Sequence, residues 1–314
     1  MEKHILVGSC DSEGGVIGFA LNDSGKLRLT SLTPLDRPMY LCKDGDTLYA
    51  LLREPFMQQS GVAELKIDPD GTVSQQGEII PTHGSISCHI LKFAGQVYTA
   101  NYLGGSVTCL PDKLLAFGGK GPKKQQDCSH PHCLTPTPDG KYICICDLGA
   151  DCIYVCTPEL TEVSRVKVKE GSGPRHLIFS RDGRLAYCAD ELSSEVSVFS
   201  YEDGKLTFIT SEGCVPDDFE GDNAPSAIRL NEDGTELYVA NRGHNSVCIW
   251  HVEGEKLSER RFISSGGELP REMNVIDGWV LCGNNDCLTV TSAKTGEQTD
   301  SFRLEKPWCI LSLE

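Results

Sequence analysis

The sequence predicts an all-β fold, a seven-bladed β-propeller of four-stranded antiparallel blades whose ring closes by pairing N- and C-terminal strands. Three observations carry this. Short segments such as Leu237-Tyr238-Val239-Ala240 are β-branched or aromatic, and Gly, Asn and Asp bound them, with 32 glycines and 16 prolines punctuating the chain. One unit recurs at intervals of roughly 35–50 residues, the range of propeller blades. The first and last copies are each incomplete.

The unit runs as a proline or small residue, a polar residue, a short apolar strand, an Asp-Gly turn, a second β-rich strand ending in Asn or Asp, a polar turn and a third strand. Its clearest copy has Pro174-Arg175-His176, the turn Arg181-Asp182-Gly183, strand residues 185–189, Asp190-Glu191 and strand residues 196–199. An Asp-Gly pair between alternating hydrophobics is a strong hairpin signal. Further copies carry Pro131-His132 with Asp139-Gly140 and Asp147, and Pro225-Ser226 with Asp233-Gly234 and Asn241-Arg242. Weaker copies begin at Pro38, Ser87, Pro270 and Pro307. The last lies too near the C-terminus to build a blade, and residues 4–9 and 15–20 are strands without an opening strand of their own. Joining the two ends gives the seventh blade and removes the free sheet edges that invite aggregation. Residues 1–314 therefore read as one domain, with an open solenoid as the alternative that would need capping ends.

Composition narrows the function. With 45 acidic against 29 basic residues, the net charge of −16 disfavours binding to nucleic acid or to an anionic membrane. No apolar run approaches the ~18 residues of a membrane span. The start Met1-Glu2-Lys3-His4 shows no apolar leader, and the sixteen cysteines lie largely in apolar strands without a CxxC pair. They read as reduced, buried thiols in a cytoplasmic protein, and no structural zinc site is expected. The Gly-rich stretch at residues 117–124 reads as a flexible connection between blades. Oligomeric state is not legible.

Antiparallel pairing places the start of the first strand and the end of the second at the same end of each blade. This rule collects His89 with Asn101 and Tyr102, His132 with Asp147, Arg175 and His176 with Asp190 and Glu191, Ser226 with Asn241 and Arg242, and Arg271 with Asn284, with His130 beside His132. Three arginines on one face of an acidic protein suit an anion, because guanidinium pairs carboxylate or phosphate through two parallel hydrogen bonds. Asn101, Asp147, Asp190 and Asn241 share one repeat position and can equally tie turns and strands together. Arg175, Glu191, Arg242 and His132 break the repeat with chemistry the fold does not require.

Several stretches together resemble the propeller-type lactonase family, which includes seven-bladed 6-phosphogluconolactonases and is similar to the carboxy-cis,cis-muconate cyclases. They are Cys88-His89, Ala100-Asn101-Tyr102-Leu103-Gly104-Gly105-Ser106-Val107, His130-Pro131-His132, Asp147-Leu148-Gly149-Ala150-Asp151, Gly173-Pro174-Arg175-His176, Asp190-Glu191-Leu192 and Asn241-Arg242-Gly243-His244-Asn245-Ser246. The cyclase resemblance implies a pocket of His132 or His130, Arg175, Arg242 and Glu191. The chain departs from the family at Val7-Gly8-Ser9-Cys10-Asp11, where a Gly-Thr-Tyr-like start is usual.

The expected activity is hydrolysis of a small anionic lactone, 6-phosphoglucono-1,5-lactone first. Glu191, His132, Arg175 and Arg242 are the catalytic candidates, and His89, Asn101, His130, His176, Asp147 and Arg271 the substrate-binding ones. Either Glu191 or His132 serves as general base. No cofactor or metal is expected, since the inferred face is arginine-rich rather than carboxylate-rich. The alternatives are a lactonising or delactonising enzyme on another carboxylated lactone, and a non-catalytic propeller that binds a protein through its rim.

Overall fold

The Asp-Gly turns set the blades. Gly140, Gly183 and Gly234 take φ values of 68°, 72° and 76°, where a Cβ is disfavoured. The preceding Asp139, Asp182 and Asp233 accept the backbone N–H of Lys141, Arg184 and Thr235 at 3.2, 3.1 and 3.0 Å. Each such turn reverses the chain between the first and second strands of its blade.

The computed structural model describes residues 2–313. Its strands, numbered β1–β28 in chain order, form seven four-stranded sheets. The innermost strands are β4 (Pro38–Asp44), β8 (Ser87–Phe93), β12 (Pro131–Pro136), β16 (Pro174–Phe179), β20 (Ala224–Leu230), β24 (Glu272–Ile276) and β28 (Pro307–Ser312), each in contact with the next around a closed ring. The seventh blade has the order β28, β1 (Lys3–Ser9), β2 (Gly15–Leu21), β3 (Leu27–Pro34). Ring closure through both ends of the chain excludes the solenoid. Between blades the core is apolar, as where Leu6 and Val16 meet Leu48, Ala50 and Leu52. Each buried leucine or valine there contributes about 1.5–3 kcal/mol relative to exposure.

Several innermost strands share an irregularity that positions the site. Pro131 pairs Asp147 while Cys133 pairs Cys146, leaving His132 as an extra residue. By the same shift Arg175 is extra between Pro174 and His176, Cys88 between Ser87 and His89, and Met39 between Pro38 and Tyr40. A bulge interrupts strict alternation, so two successive side chains can reach one side of the strand. Arg175 and His176 do so: Arg175 meets Glu191 at the channel mouth, and the His176 ring lies 5.6 Å from that of His89 within the channel.

The stretch at 117–124 is anchored where it ends, in contrast to the expected flexible connection. A 3₁₀ turn at Lys124–Gln126 buries Gln126, whose Nε2 donates to Asp151 Oδ1 at 2.7 Å and Leu148 O at 2.9 Å.

Candidate functional site

At the channel mouth a cavity of about 290 Å³ is lined by Met39, Arg53, Ile86, Cys88, Tyr102, Leu103, His132, Glu191, Arg242 and Arg271. That volume lies near the lower end of small-molecule sites. Glu191 follows β17 (Leu185–Asp190) and Arg242 ends β21 (Glu236–Arg242). Glu191 Oε2 lies 2.6 Å from Arg242 Nη2 and 2.9 Å from Arg175 Nε. The second contact is an ion pair without straight hydrogen-bond geometry, for Arg175 Nε has no aligned acceptor. Arg175 also donates from Nη1 to the Ser226 carbonyl at 2.7 Å. It therefore stands behind Glu191 and fixes it, rather than lining the cavity.

Burial alone would raise the Glu191 pKa, but Arg242, Arg175 and Arg271 outweigh it and hold the carboxyl below its ordinary value. Arg271 has its own pKa lowered to about 10, by burial and then by Arg175 and Arg242, and its guanidinium stacks 4.5 Å over Trp308. Three guanidinium groups line the cavity, those of Arg53, Arg242 and Arg271, with Arg175 behind them, and Glu191 is the one carboxylate among the lining residues. This surplus of cations fits an anion and not a metal ion.

His132 lines the cavity, and its Nδ1 has no hydrogen-bond partner. Burial, then Arg175, Arg271 and Arg242, push its pKa well below the usual histidine value, so the imidazole is neutral. His130 faces elsewhere. Its Nδ1 donates to the Tyr102 carbonyl at 2.8 Å, and its ring stacks on Tyr102 at 4.4 Å. Tyr102 separates it from the cavity, so the ambiguity between the two histidines resolves toward His132.

Four other expected ligands lie off the cavity. Asn101 is fully buried within its blade, accepting from Ser87 Oγ at 2.6 Å and donating to Ser106 Oγ and Thr108 Oγ1 at 3.0 and 2.9 Å. Asp147 likewise accepts from Ser129 Oγ, His130 N and Ala150 N at 2.6, 2.7 and 3.1 Å. Both sit at the correct end of the blade, but strand alternation turns them into it. His89 and His176 occupy a second layer within the channel. The His89 ring lies 4.4 Å from Tyr40 and 5.6 Å from His176, which lies 5.3 Å from His132. Burial lowers His89 to about 3 and, with Arg175, takes His176 well below its usual value. In the same layer Arg229 Nη2 pairs Glu272 Oε1 at 2.6 Å.

Sequence reasoning missed Arg53, Arg229 and Glu272. Arg53 lies in β5 (Thr47–Phe56), the second strand of the weak copy that begins at Pro38, where Leu52 stands opposite the opening proline in place of the Asp or Asn of the clearer copies. The sign of the other two was a charged residue inside an inner strand, in Ile228-Arg229-Leu230 and Glu272-Met273.

Fold and site together define a closed propeller with a cation-lined pocket at one end of its channel. The chain belongs to the family described as lactonase, 7-bladed beta-propeller, whose model matches residues 4–306. An uncharacterized protein of Staphylococcus epidermidis is 32% identical over 295 residues, covering 87% of this chain and 86% of its own. Among solved structures, a candidate 6-phosphogluconolactonase from Bacteroides fragilis superposes with a TM-score of 0.89 at 28% identity, covering 100% of this chain and 98% of its own. The periplasmic gluconolactonase of Pseudomonas aeruginosa gives 0.89 at 26% identity, covering 100% and 99%.

Proposed function

We propose that the protein hydrolyses a phosphorylated sugar lactone, with 6-phosphoglucono-1,5-lactone as the first substrate, at the channel-mouth cavity. The observation that carries the proposal is the excess of guanidinium groups over carboxylate around a small cavity that also holds a neutral, underused imidazole. Two solved structures with more than 25% identity to this chain, one described as a candidate 6-phosphogluconolactonase and one as a gluconolactonase, support a sugar lactone, and the first of them the phosphorylated one.

Arg53 and Arg271, which among the described residues pair with no carboxylate, receive the phosphate. Each charge-assisted contact contributes about 1.5–3 kcal/mol. Arg242, fixed against Glu191, polarises the lactone carbonyl. His132 takes a proton from water as the water oxygen bonds to C1. The tetrahedral intermediate collapses with cleavage of the bond from C1 to the ring oxygen, and the proton returns to that oxygen, giving the hydroxy acid. His132 suits the base role better than Glu191, whose Oε2 is engaged by two arginines. Burial and then the guanidinium field depress His132, and a dianionic ligand offsets the second of these, raising its pKa when substrate is bound.

A larger groove of about 590 Å³ has Glu232, Asp233, Glu236 and Asp277 against Arg261 and Lys294, a net acidic lining that suits such a ligand less well.

The test is the hydrolysis rate of 6-phosphogluconolactone by purified protein, beside unphosphorylated gluconolactone and corrected for spontaneous opening. Rapid turnover that depends on the phosphate and is lost in His132→Ala supports the proposal. Background rates on both lactones overturn it and turn the search toward other carboxylated lactones.

A further inference from the structure

Immediately before β12 the chain reads Asp127-Cys128-Ser129-His130, a spacing that matches no zinc motif, yet the fold gathers three of these side chains. His130 Nε2 lies 3.0 Å from Asp127 Oδ1 and 3.7 Å from Cys128 Sγ, and one ligand atom from each residue lies within 4.8 Å of the others.

The hydrogen bonding of His130 fixes what its second nitrogen presents. The Tyr102 carbonyl can only accept, so Nδ1 carries the proton of that 2.8 Å bond. In the neutral ring Nε2 then holds a lone pair, and it faces a carboxylate oxygen. Two acceptors at 3.0 Å require a cation between them, either a proton or a metal ion. A backbone carbonyl on the far nitrogen is also the partner that metal-bound imidazoles ordinarily have.

The two separations from His130, 3.0 and 3.7 Å, bracket those of a metal site. With bonds of about 2.0–2.1 Å to nitrogen or oxygen and 2.3 Å to sulfur, tetrahedral angles put ligand atoms about 3.3–3.6 Å apart. The segment is held on both sides of the cluster. Gln126 is anchored to Asp151, and the His130 N–H and Ser129 hydroxyl both donate to Asp147. Of sixteen cysteines Cys128 is the exposed one, and Asp127 is exposed beside it, so a fourth coordination position opens to solvent.

We propose that Asp127, Cys128 and His130 form a binding site for a zinc-class divalent transition metal, separate from the lactone pocket and one aromatic ring behind it. Thiolate, imidazole and carboxylate together select zinc, cobalt or ferrous iron over magnesium or calcium. Bound there, the metal braces the Tyr102 wall of the cavity through the His130 ring, which stacks on Tyr102 at an interplanar angle of 13°.

Full-length protein freed of metal by chelator is titrated with Co²⁺. The expected result is one equivalent bound, with a thiolate-to-cobalt charge-transfer band in the near ultraviolet that zinc displaces. Cys128→Ser abolishes the band, and Asp127→Asn weakens binding by at least about 10-fold; both residues are exposed, so both variants fold. Zinc also protects Cys128 from alkylation by iodoacetamide. Absence of the band, or a band that survives Cys128→Ser, overturns the site and leaves a proton between Asp127 and His130. Lactone hydrolysis is not the readout, so either proposal can fail without the other.

Discussion

Arg242 Nη2 meets Glu191 Oε2 at 2.6 Å where both line the channel-mouth cavity. Glu191 is also the carboxylate that pairs the buried guanidinium of Arg175, with Glu272 acting on it more weakly, so its removal leaves that charge without its ion-pair partner. Truncating one partner of a buried ion pair costs about 3–5 kcal/mol, since the survivor stays desolvated. Glu191→Gln is expected to lose that much stability in urea unfolding and most of its lactone turnover. A variant as stable as the wild type would show that Arg175 is neutralised by something other than Glu191.

Arg53 and Arg271 carry the phosphate-specific part of the proposal. Losing one charge-assisted contact of about 1.5–3 kcal/mol corresponds to about 10- to 100-fold in affinity. Arg53→Ala and Arg271→Ala are each expected to raise KM for 6-phosphogluconolactone by that factor. Their kcat/KM on unphosphorylated gluconolactone should change little. Equal losses on both substrates would place these arginines at the reacting carbonyl instead.

The blades were legible because their determinants are local: a proline or serine opens an inner strand, and an Asp-Gly pair closes the hairpin. Glu191 and Arg242 were legible because they break a repeat. The bulge that sends both Arg175 and His176 toward the channel left no mark in the sequence, since it is a mismatch in pairing between strands. Asn101 and Asp147 were assigned to the right end of the blade and the wrong side of the strand, because the end-of-blade rule fixes which end a residue occupies and not which face its side chain takes. Arg53 was hidden in a weak copy of the repeat, and the gathering of Asp127, Cys128 and His130 depends on a loop held in place by Asp147 and Asp151.

Asp190 tests the structural role of the repeat carboxylate. Fully buried, it accepts from Ser197 Oγ at 2.6 Å while Oδ1 has no partner. Burial raises its pKa to about 7. The folded state thus binds this proton more tightly than the unfolded chain, where the pKa is about 3.9. Its contribution to stability is greatest below about pH 4, declines as pH rises through the folded value near 7, and is lost above it. Asp190→Asn, which keeps the shape without the charge, should be at least as stable as the wild type at pH 8 and show a flatter dependence of melting temperature between pH 4 and 7. A wild-type stability that rises over that window, with no change in slope in the variant, would contradict a buried acid at this position.

The three channel histidines give the most direct test of the site's electrostatics. His89 is lowered to about 3 by burial, and His132 and His176 are pushed well below their usual value by burial and the nearby guanidinium groups. His89 should remain neutral down to pH 5 in the free protein, so its resonance in NMR spectra of the ring-labelled protein should not move between pH 8 and pH 5, and those of His132 and His176 should titrate below the ordinary histidine range. For groups with depressed basic pKa values the folded state disfavours the proton, and their contribution to stability falls as pH drops below the unfolded value of about 6.5. A phosphorylated, non-hydrolysable substrate analogue should offset part of the guanidinium field and shift the His132 titration upward, with a smaller effect on His89, which burial controls. An upward shift confined to His132 would tie the ligand to the cavity and the imidazole to the base role. An unshifted His132 under saturating analogue would remove it from that role and leave Glu191 as the remaining candidate.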